Sequence, residues 1–266
     1  MKSHRPVAYT LVSTNHGTLL VNRYDHTVNA HGEDIGVGYQ LLSNSAFDQS
    51  EVSTVVSLLN IRRKHYGDGI FAIDCGANIG VHTIEWAKSM HGWGEVISIE
   101  AQERIFYALA GNITINNCFN ARAIWSAVGK CDGYIPVPTP DYFKSSSFGS
   151  LEIRKTDKTE FIGQEIDYSV GKTQITPMIA IDGLKLNRVD LIKIDIEGME
   201  MDALEGAELT IATHKPQLVI EKIKSNSTDI TNFVLSRGYK IFEFGLNILA
   251  IHESDPTSNE IRTNIQ

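Results

Sequence analysis

The stretch Ile70-Phe71-Ala72-Ile73-Asp74-Cys75-Gly76-Ala77-Asn78-Ile79-Gly80 constrains the fold more than any other part of the chain. Its first half is a short apolar run, the pattern of a strand buried on both faces. The run ends in an acid and a glycine-spaced turn. Val81 to Met90 then reads as a helix, with Ile79, Thr83, Trp86, Ala87 and Met90 at helical spacing. Strand, glycine turn and helix in that order bring backbone N–H groups toward a nucleotide-like ligand in a Rossmann-like α/β sheet. Gly76 and Gly80 let such a ligand approach where a Cβ would block it.

The turn also limits which ligand. A dinucleotide fingerprint needs three glycines spaced G-x-G-x-x-G, and the middle one is absent here. Asp74 stands where a negative charge repels a pyrophosphate. An acid at that point suits a ligand carrying an ammonium and a sulfonium, which is S-adenosylmethionine. A purely structural turn, with Asp74 capping the helix, is the plainer alternative.

The length of 266 residues and an apolar fraction of 42% suffice for one large α/β domain. A formal charge of −8 argues against nucleic acid as a partner, because phosphates call for a basic surface. No apolar run is long enough to span a membrane. The cysteines Cys75, Cys118 and Cys131 have no metal or redox spacing, and their odd count suggests reduced thiols in a cytoplasm.

Taken in order, the chain opens on an expected hairpin, Val7–Ser13 and Thr18–Arg23, followed by an irregular stretch over 24–49. Residues 1–49 are expected to form a cover over the ligand side. A helix is expected from Ser50, with Val52, Val55, Val56 and Leu59 on its repeat. A domain over 50–253 follows, then a polar tail over 254–266 expected to fray. Val96–Glu100 is a second buried strand ending in an acid. In such sheets an acid at that place bonds the ribose hydroxyls of an adenosine. Glu103–Asn117 is the next helix and Ala121–Val128 the third strand.

Residues 130–178 break the rhythm, with Tyr134–Val137 and Gln174–Ile179 as possible strands. An irregular insertion of that length is more often a functional lid than filler, and Tyr142, Phe143 and Phe148 could line an acceptor pocket in it. A mobile surface loop is the alternative. Val189–Glu200 then runs from strand to helix. Lys193, Asp195 and Glu197 alternate with Ile192, Ile194 and Ile196. Burying a lysine and a carboxylate on one strand face is costly unless they pair, and a cost of that kind marks a site. A helix over Glu200–Thr213, a strand Pro216–Glu221 that again ends in an acid, a helix Thr228–Ser236 and a C-terminal pair Tyr239–Glu243 and Asn247–His252 complete the chain.

Asp74-x-Gly-Ala-Asn-x-Gly, Glu100 and Lys193-x-Asp-x-Glu-Gly-x-Glu together resemble the FkbM family of class I methyltransferases, over roughly residues 36 to 253. The resemblance implies a Rossmann-like sandwich: a seven-stranded, mostly parallel sheet with an antiparallel C-terminal strand. It implies S-adenosylmethionine as cofactor, held by Asp74, Gly76, Ala77, Asn78, Gly80, His82, Thr83, Glu100 and Ala101. Asn112, Trp125, Ser126, Ala127 and Asp195 complete that set. Asn112 and Asn116 match the family's Leu-x-x-Asn-x-x-x-Asn pattern, Asn112 binding backbone or ribose. Trp125 is as readily a core residue as an adenine contact. The family's Phe-Glu-Pro sequence is replaced here by Ile99-Glu100-Ala101-Gln102.

The implied reaction is O-methylation of a sugar or natural-product hydroxyl. Asp195 would act as general base or orienter of the acceptor, with Lys193 holding it and Glu197 as a third catalytic candidate. Glu197 and Glu200 could instead stabilise the helix N-terminus. Asp195, Glu197 and Glu221 end adjacent strands, which leaves a divalent metal open, but no compact ligand motif asks for one and none is expected. The Asn/Asp-Pro-Pro-aromatic tetrapeptide of amino-methylating nucleic-acid enzymes is missing. A nicotinamide-dependent oxidoreductase and a non-catalytic binding protein of the same fold are the alternatives.

Overall fold

A computed structural model describes residues 6–29 and 31–261. The main sheet has seven strands in the order Tyr239–Phe244, Asn247–His252, Gln217–Glu221, Leu191–Ile194, Ile70–Cys75, Gly94–Glu100 and Ala121–Trp125. Asn247–His252 runs antiparallel to both neighbours, and every other pairing is parallel. This is the expected mostly parallel sheet with a reversed strand at its C-terminal end.

Alternation along the strands feeds two cores. Ala72, Val96, Leu191, Val219 and Leu249 face one side, under the helices Gln49–Tyr66, Val81–Ser89 and Glu103–Ile115. Ile73, Ile97, Ile192, Leu218 and Ala250 face the other, under Glu200–Glu205, Glu208–His214 and Ser227–Leu235. Each fully buried aliphatic chain contributes about 1.5–3 kcal/mol. At its upper end the first face changes character. The strand positions that continue it are Asp74, Ser98, Glu100, Lys193 and Asn247, all buried. Their burial costs free energy, so a ligand rather than stability accounts for them.

The N-terminal hairpin forms as Tyr9–Thr14 paired with Gly17–Asn22. It lies against the helix Glu103–Ile115, where Asn116 Nδ2 donates to the carbonyl of Thr18 at 2.8 Å. The first five residues of the expected cover lie outside the described residues. The stretch 24–49 is more regular than expected. It contains a short strand pair, Thr27–Val28 with Asp34–Ile35, and a helix, Val37–Asn44. That helix is started from a distance: buried Asp25 accepts the Gly38 N–H at 2.9 Å.

Two further differences have local causes. The helix expected over Glu200–Thr213 breaks at Gly206, where a Cβ would lie 2.1 Å from the carbonyl oxygen of Gly129. The carboxylate of Asp182 accepts the N–H groups of Leu209 and Thr210 and so starts a second helix. The segment Ser254–Ile261, expected to fray, is packed down. Buried Arg62 reaches Asp255 at 2.6 Å and Asp190 at 3.1 Å, and Thr257 is fully buried. The last five residues of the expected tail lie outside the described residues.

The insertion over 130–178 forms a side sheet. Thr173–Ile179 pairs antiparallel with Gly133–Pro138 and parallel with Ala127–Val128. Between the two long strands, 139–172 crosses the top of the main sheet with one 3-10 turn, Phe148–Ser150. Its anchor is Asp25 again, which accepts the Phe148 N–H at 3.1 Å.

Candidate active site

Strand order reverses between Ile70–Cys75 and Leu191–Ile194, and in open α/β sheets ligands bind above that point. A cavity of about 390 Å³ opens there. Its floor is the two turns that follow these strands. They touch at Gly76, whose φ is +77° and whose missing Cβ would lie 1.8 Å from the Asp195 carbonyl oxygen. No other residue fits at that position.

The first turn is closed on itself. The N–H groups of Gly76 and Ala77 both donate to the carbonyl of Ile99, and Gly80 donates to Ala77. Asn78 N–H goes to Glu100 Oε2 at 3.0 Å, and Ile79 N–H to the Asn78 side chain at 2.7 Å. From Gly76 through Gly80 no backbone donor is left for a ligand, contrary to the expectation that the turn offers them. A pyrophosphate would find no cradle here.

The groups on offer are carboxylates. Asp74 is buried, with Oδ2 accepting the Thr83 hydroxyl at 2.7 Å, while Oδ1 has no partner. Glu100 accepts one N–H on each oxygen, from Gln102 and from Asn78. Each oxygen keeps a lone pair, enough for a ribose diol. Burial pushes the Glu100 carboxyl up to about 7, against the pull of those N–H groups. An unpartnered buried acid and a second acid with spare acceptors fit the ammonium and ribose of an adenosyl methyl donor.

Across the reversal, Lys193 stands level with Asp74 in the neighbouring strand and its Nζ meets Asp195 Oδ2 at 2.7 Å. Burial alone would lower the ammonium's proton affinity, but Asp195, Asp74 and Glu51 hold it above its ordinary value. Glu197 sits at a left-handed φ of 56° and pairs with Lys224 at 2.7 Å. Burial raises its carboxyl, with Lys224 pulling the other way. Glu200, fully buried, accepts the N–H groups of Ile196 and Gly198 and so holds this second turn. The carboxylates of Asp195, Glu197 and Glu221 come within 4.8 Å of one another. An ammonium already stands on one oxygen of Asp195 and another on one oxygen of Glu197.

Asp74, Gly76, Ala77, Asn78, His82, Glu100, Ala101, Ser126, Ala127, Lys193, Asp195 and Glu197 line the cavity, but four expected contacts do not. Gly80 faces Leu109, where a Cβ would meet Cδ1 at 2.6 Å, so it is a packing glycine. Thr83 is buried between Asp74 and Ser98, and positions the acid. Asn112 bonds backbone only: it accepts Leu20 N–H at 2.5 Å and donates to the carbonyls of Leu20 and Ile79. It thereby ties hairpin, helix and turn together. Trp125 donates to the Ala101 carbonyl at 3.0 Å and supports that loop from behind. The aromatic residues of the insertion are not cavity walls either. Phe148 belongs to the core, Tyr142 packs on it, and Phe143 is exposed.

The cavity also holds residues that the motifs did not mark: Asp48, Glu51, Glu221, Lys224 and Asn247. Glu51 lies at the start of the helix Gln49–Tyr66 and contacts His82 Nε2 at 3.3 Å and Asn247 Nδ2 at 2.8 Å. Only Glu221 carried a signal, as the acid closing a strand. Lys224 ties the roof down, reaching Glu160 at 3.2 Å and the Ser150 carbonyl at 2.9 Å. Among the described residues no helix is long and apolar enough to cross a membrane.

The family described as the methyltransferase FkbM domain matches residues 74–241. Among curated relatives, "Methyltransferase 1" of Beauveria bassiana is 24% identical over 155 residues, covering 54% of this chain and 60% of that protein. "Methyltransferase sdnD" of Sordaria araneosa is 24% identical over 157 residues, covering 52% and 60%. The chain thus spans 60% of the length of each. Among solved structures, the methyltransferase FkbM from Methylobacillus flagellatus KT matches with a TM-score of 0.49 and 21% identity, covering 80% of this chain and 58% of that one.

Proposed function

The chain belongs to the FkbM methyltransferase family, and from that premise we propose that it transfers a methyl group from S-adenosylmethionine to a hydroxyl of a sugar or natural-product intermediate. The bound donor supplies an electrophilic methyl on a sulfonium. Asp74 would hold the donor's ammonium through its unpartnered Oδ1, and Glu100 its ribose. Gly76 would leave space for the donor beside the Asp195 carbonyl.

The observation that carries the reading is the Lys193–Asp195 pair beside Gly76, at the reversal of strand order. Attack on a methyl needs a lone pair held in line within about 3–3.5 Å. Asp195, fixed by a buried lysine, is placed to orient the acceptor through a hydroxyl next to the reacting one and so set that line. The surrounding Asp48, Glu51 and Glu197 add acceptors for further hydroxyls, which suits a polyhydroxylated molecule better than a phosphorylated one.

Calorimetric titration with S-adenosylmethionine, S-adenosylhomocysteine and NAD tests the donor. The adenosyl ligands should bind, NAD should not, and Asp74→Ala with Glu100→Ala should abolish binding. NAD binding without adenosyl binding would overturn the reading. Transfer of labelled methyl to a panel of hydroxylated acceptors tests the rest, and labelling only of amines would overturn the O-methylation.

A further inference from the structure

Glu221 is a titratable group in the cavity that the methyl transfer described so far does not use. Extending the strand register one step past Ile194 and Ile220 sets Asp195 beside Glu221, as it sets Gly76 beside Asp195 on the other side. Gly76, Asp195 and Glu221 therefore form one row across the reversal, just above the sheet. Of the three carboxylates gathered there, Asp195 is held by Lys193 and Glu197 by Lys224, each at 2.7 Å. Among the described residues no donor and no cation is bonded to Glu221, and its Oε2 is buried without a partner.

Resting on the reading above, we infer that Glu221 is the general base that takes the acceptor's hydroxyl proton, and that the positive charge of the bound donor frees it for that task. Asp195 is the poorer base. Protonating it would leave the buried Lys193 ammonium facing a neutral partner. Glu221 has no cation to strand.

The groups facing Glu221 explain the dependence on the donor. Asp195 and Glu197 come from the loop after Leu191–Ile194, Glu200 from the following helix and Lys193 from the strand. Across the antiparallel register stands Asn247, with Glu51 bonded to it. Burial first, and then the acids Asp195, Glu197 and Glu200, push the Glu221 carboxyl up to about 9, with Lys193 pulling weakly the other way. In the empty site Glu221 is therefore protonated at neutral pH and accepts nothing. The sulfonium of a bound donor would supply the missing positive charge, and Glu221 would then give its proton to solvent.

In the transfer step the hydroxyl oxygen's lone pair forms the C–O bond. The C–S bond breaks with its electron pair passing to sulfur, and the O–H proton goes to the Glu221 carboxylate. The sulfonium charge vanishes in the same step, and Glu221 regains the proton affinity that keeps the proton it has taken. S-adenosylhomocysteine, which is neutral at sulfur, does not free the base.

The test compares proton release on binding the two adenosyl ligands, by calorimetry at pH 7.5 in buffers of different ionisation enthalpy. Both ligands meet Glu100 through the same ribose, so their difference isolates the sulfonium. In the wild type S-adenosylmethionine should release about one proton more than S-adenosylhomocysteine. Glu221→Gln should bind both and lose the difference. A difference that survives in Glu221→Gln, or is absent from the wild type, would overturn the role. Failure of both ligands to bind would remove the methyltransferase reading, and this role with it. Glu221→Gln should melt no lower than the wild type at pH 7.5, because the empty site already holds a neutral side chain there. A clear loss of stability would mark Glu221 as structural instead.

Discussion

The two turns that form the floor of the cavity are built on opposite principles. The turn from Gly76 to Gly80 is closed mainly by backbone: the N–H groups of Gly76, Ala77 and Gly80 end on carbonyls, and those of Asn78 and Ile79 on the Glu100 and Asn78 side chains. The turn from Asp195 to Gly198 is closed by charge, through Lys193 on Asp195, Lys224 on Glu197 and Glu200 on two N–H groups. A turn closed mostly on carbonyls keeps its path as pH changes, with the Asn78 N–H on Glu100 as its one pH-dependent bond, and presents a nearly fixed outline to the cofactor. A charge-closed turn depends on which protons and cations are present, and it faces the acceptor. Rigidity on the donor side and adjustability on the acceptor side is what one donor and a varied set of acceptors would require.

Removing the cation that closes the second turn should have the largest effect. Lys193→Met leaves buried Asp74 and part-exposed Asp195 without their cation, at a cost of about 3–4 kcal/mol, the lower part of the range for a broken buried pair, measured by denaturant unfolding near neutral pH. Adding Asp195→Asn should recover part of it. A single variant as stable as the wild type would mean that charge does not close this turn.

Gly76→Ala attacks the point where the turns meet. A positive φ and a 1.8 Å overlap with the Asp195 carbonyl make the cost on the order of 3 kcal/mol, with adenosyl binding lost. Retained binding would show that the two turns can separate without harm.

The donor side should respond to pH through Glu100, and in two opposite ways. Its carboxyl lies at about 7 in the folded chain and near the ordinary glutamate value when unfolded. Between those values the folded protein holds a proton that the unfolded chain has released. The empty protein should therefore lose stability as pH rises from about 4 to 7. Asp25, pushed up to about 6 by burial, adds to the lower part of that trend. Binding a ribose diol favours the ionised acid, so affinity for S-adenosylhomocysteine should rise through the same window and level off above it, while affinity for the methyl donor should go on rising as Glu221 gives up its proton. Glu100→Gln should flatten the S-adenosylhomocysteine profile and weaken binding about tenfold. An unchanged profile in that variant would assign the dependence to another group.

The smallest effect is expected at the roof. Lys224→Met frees Glu160 and the Ser150 carbonyl, while the raised Glu197 carboxyl can take up a proton in place of its lost partner. Stability should fall by only about 1 kcal/mol, but 139–172 should be cleaved faster in limited proteolysis. Unchanged cleavage would mean that the ties from Asp25, Gln102 and Asn22 hold the roof without Lys224.

The same contrast separates what was legible in the sequence from what was not. Strands such as Ile70–Cys75 and Leu191–Ile194 show as apolar runs, and Asp74, Glu100 and Asp195 show as the acids closing them. These are local patterns. The helix Val37–Asn44 is started by Asp25, and the helix break at Gly206 is completed by Asp182, so neither has a local signature. Asp48, Glu51 and Asn247 reach the cavity only because the leading helix and the last strand converge on it. Asn112 matched a motif and Trp125 was expected beside the adenine from its place at a strand end, yet their polar atoms face backbone, because their neighbours across the fold decide where a side chain's hydrogen bonds go.

Arg62 and Asp255 are separated by 193 residues, and each is nearly sealed from water by the other's surroundings. That distance has a consequence for the timing of synthesis. While the ribosome still holds the far end, Arg62 has Asp190 but not Asp255, and the strand Gln217–Glu221 has an open edge that Asn247–His252 will later fill. An open hydrophobic edge is a site for wrong pairing. Completion of this sheet therefore waits for translation of the last strand to finish, and a nascent chain stalled before Asn247 is the form most in need of a chaperone.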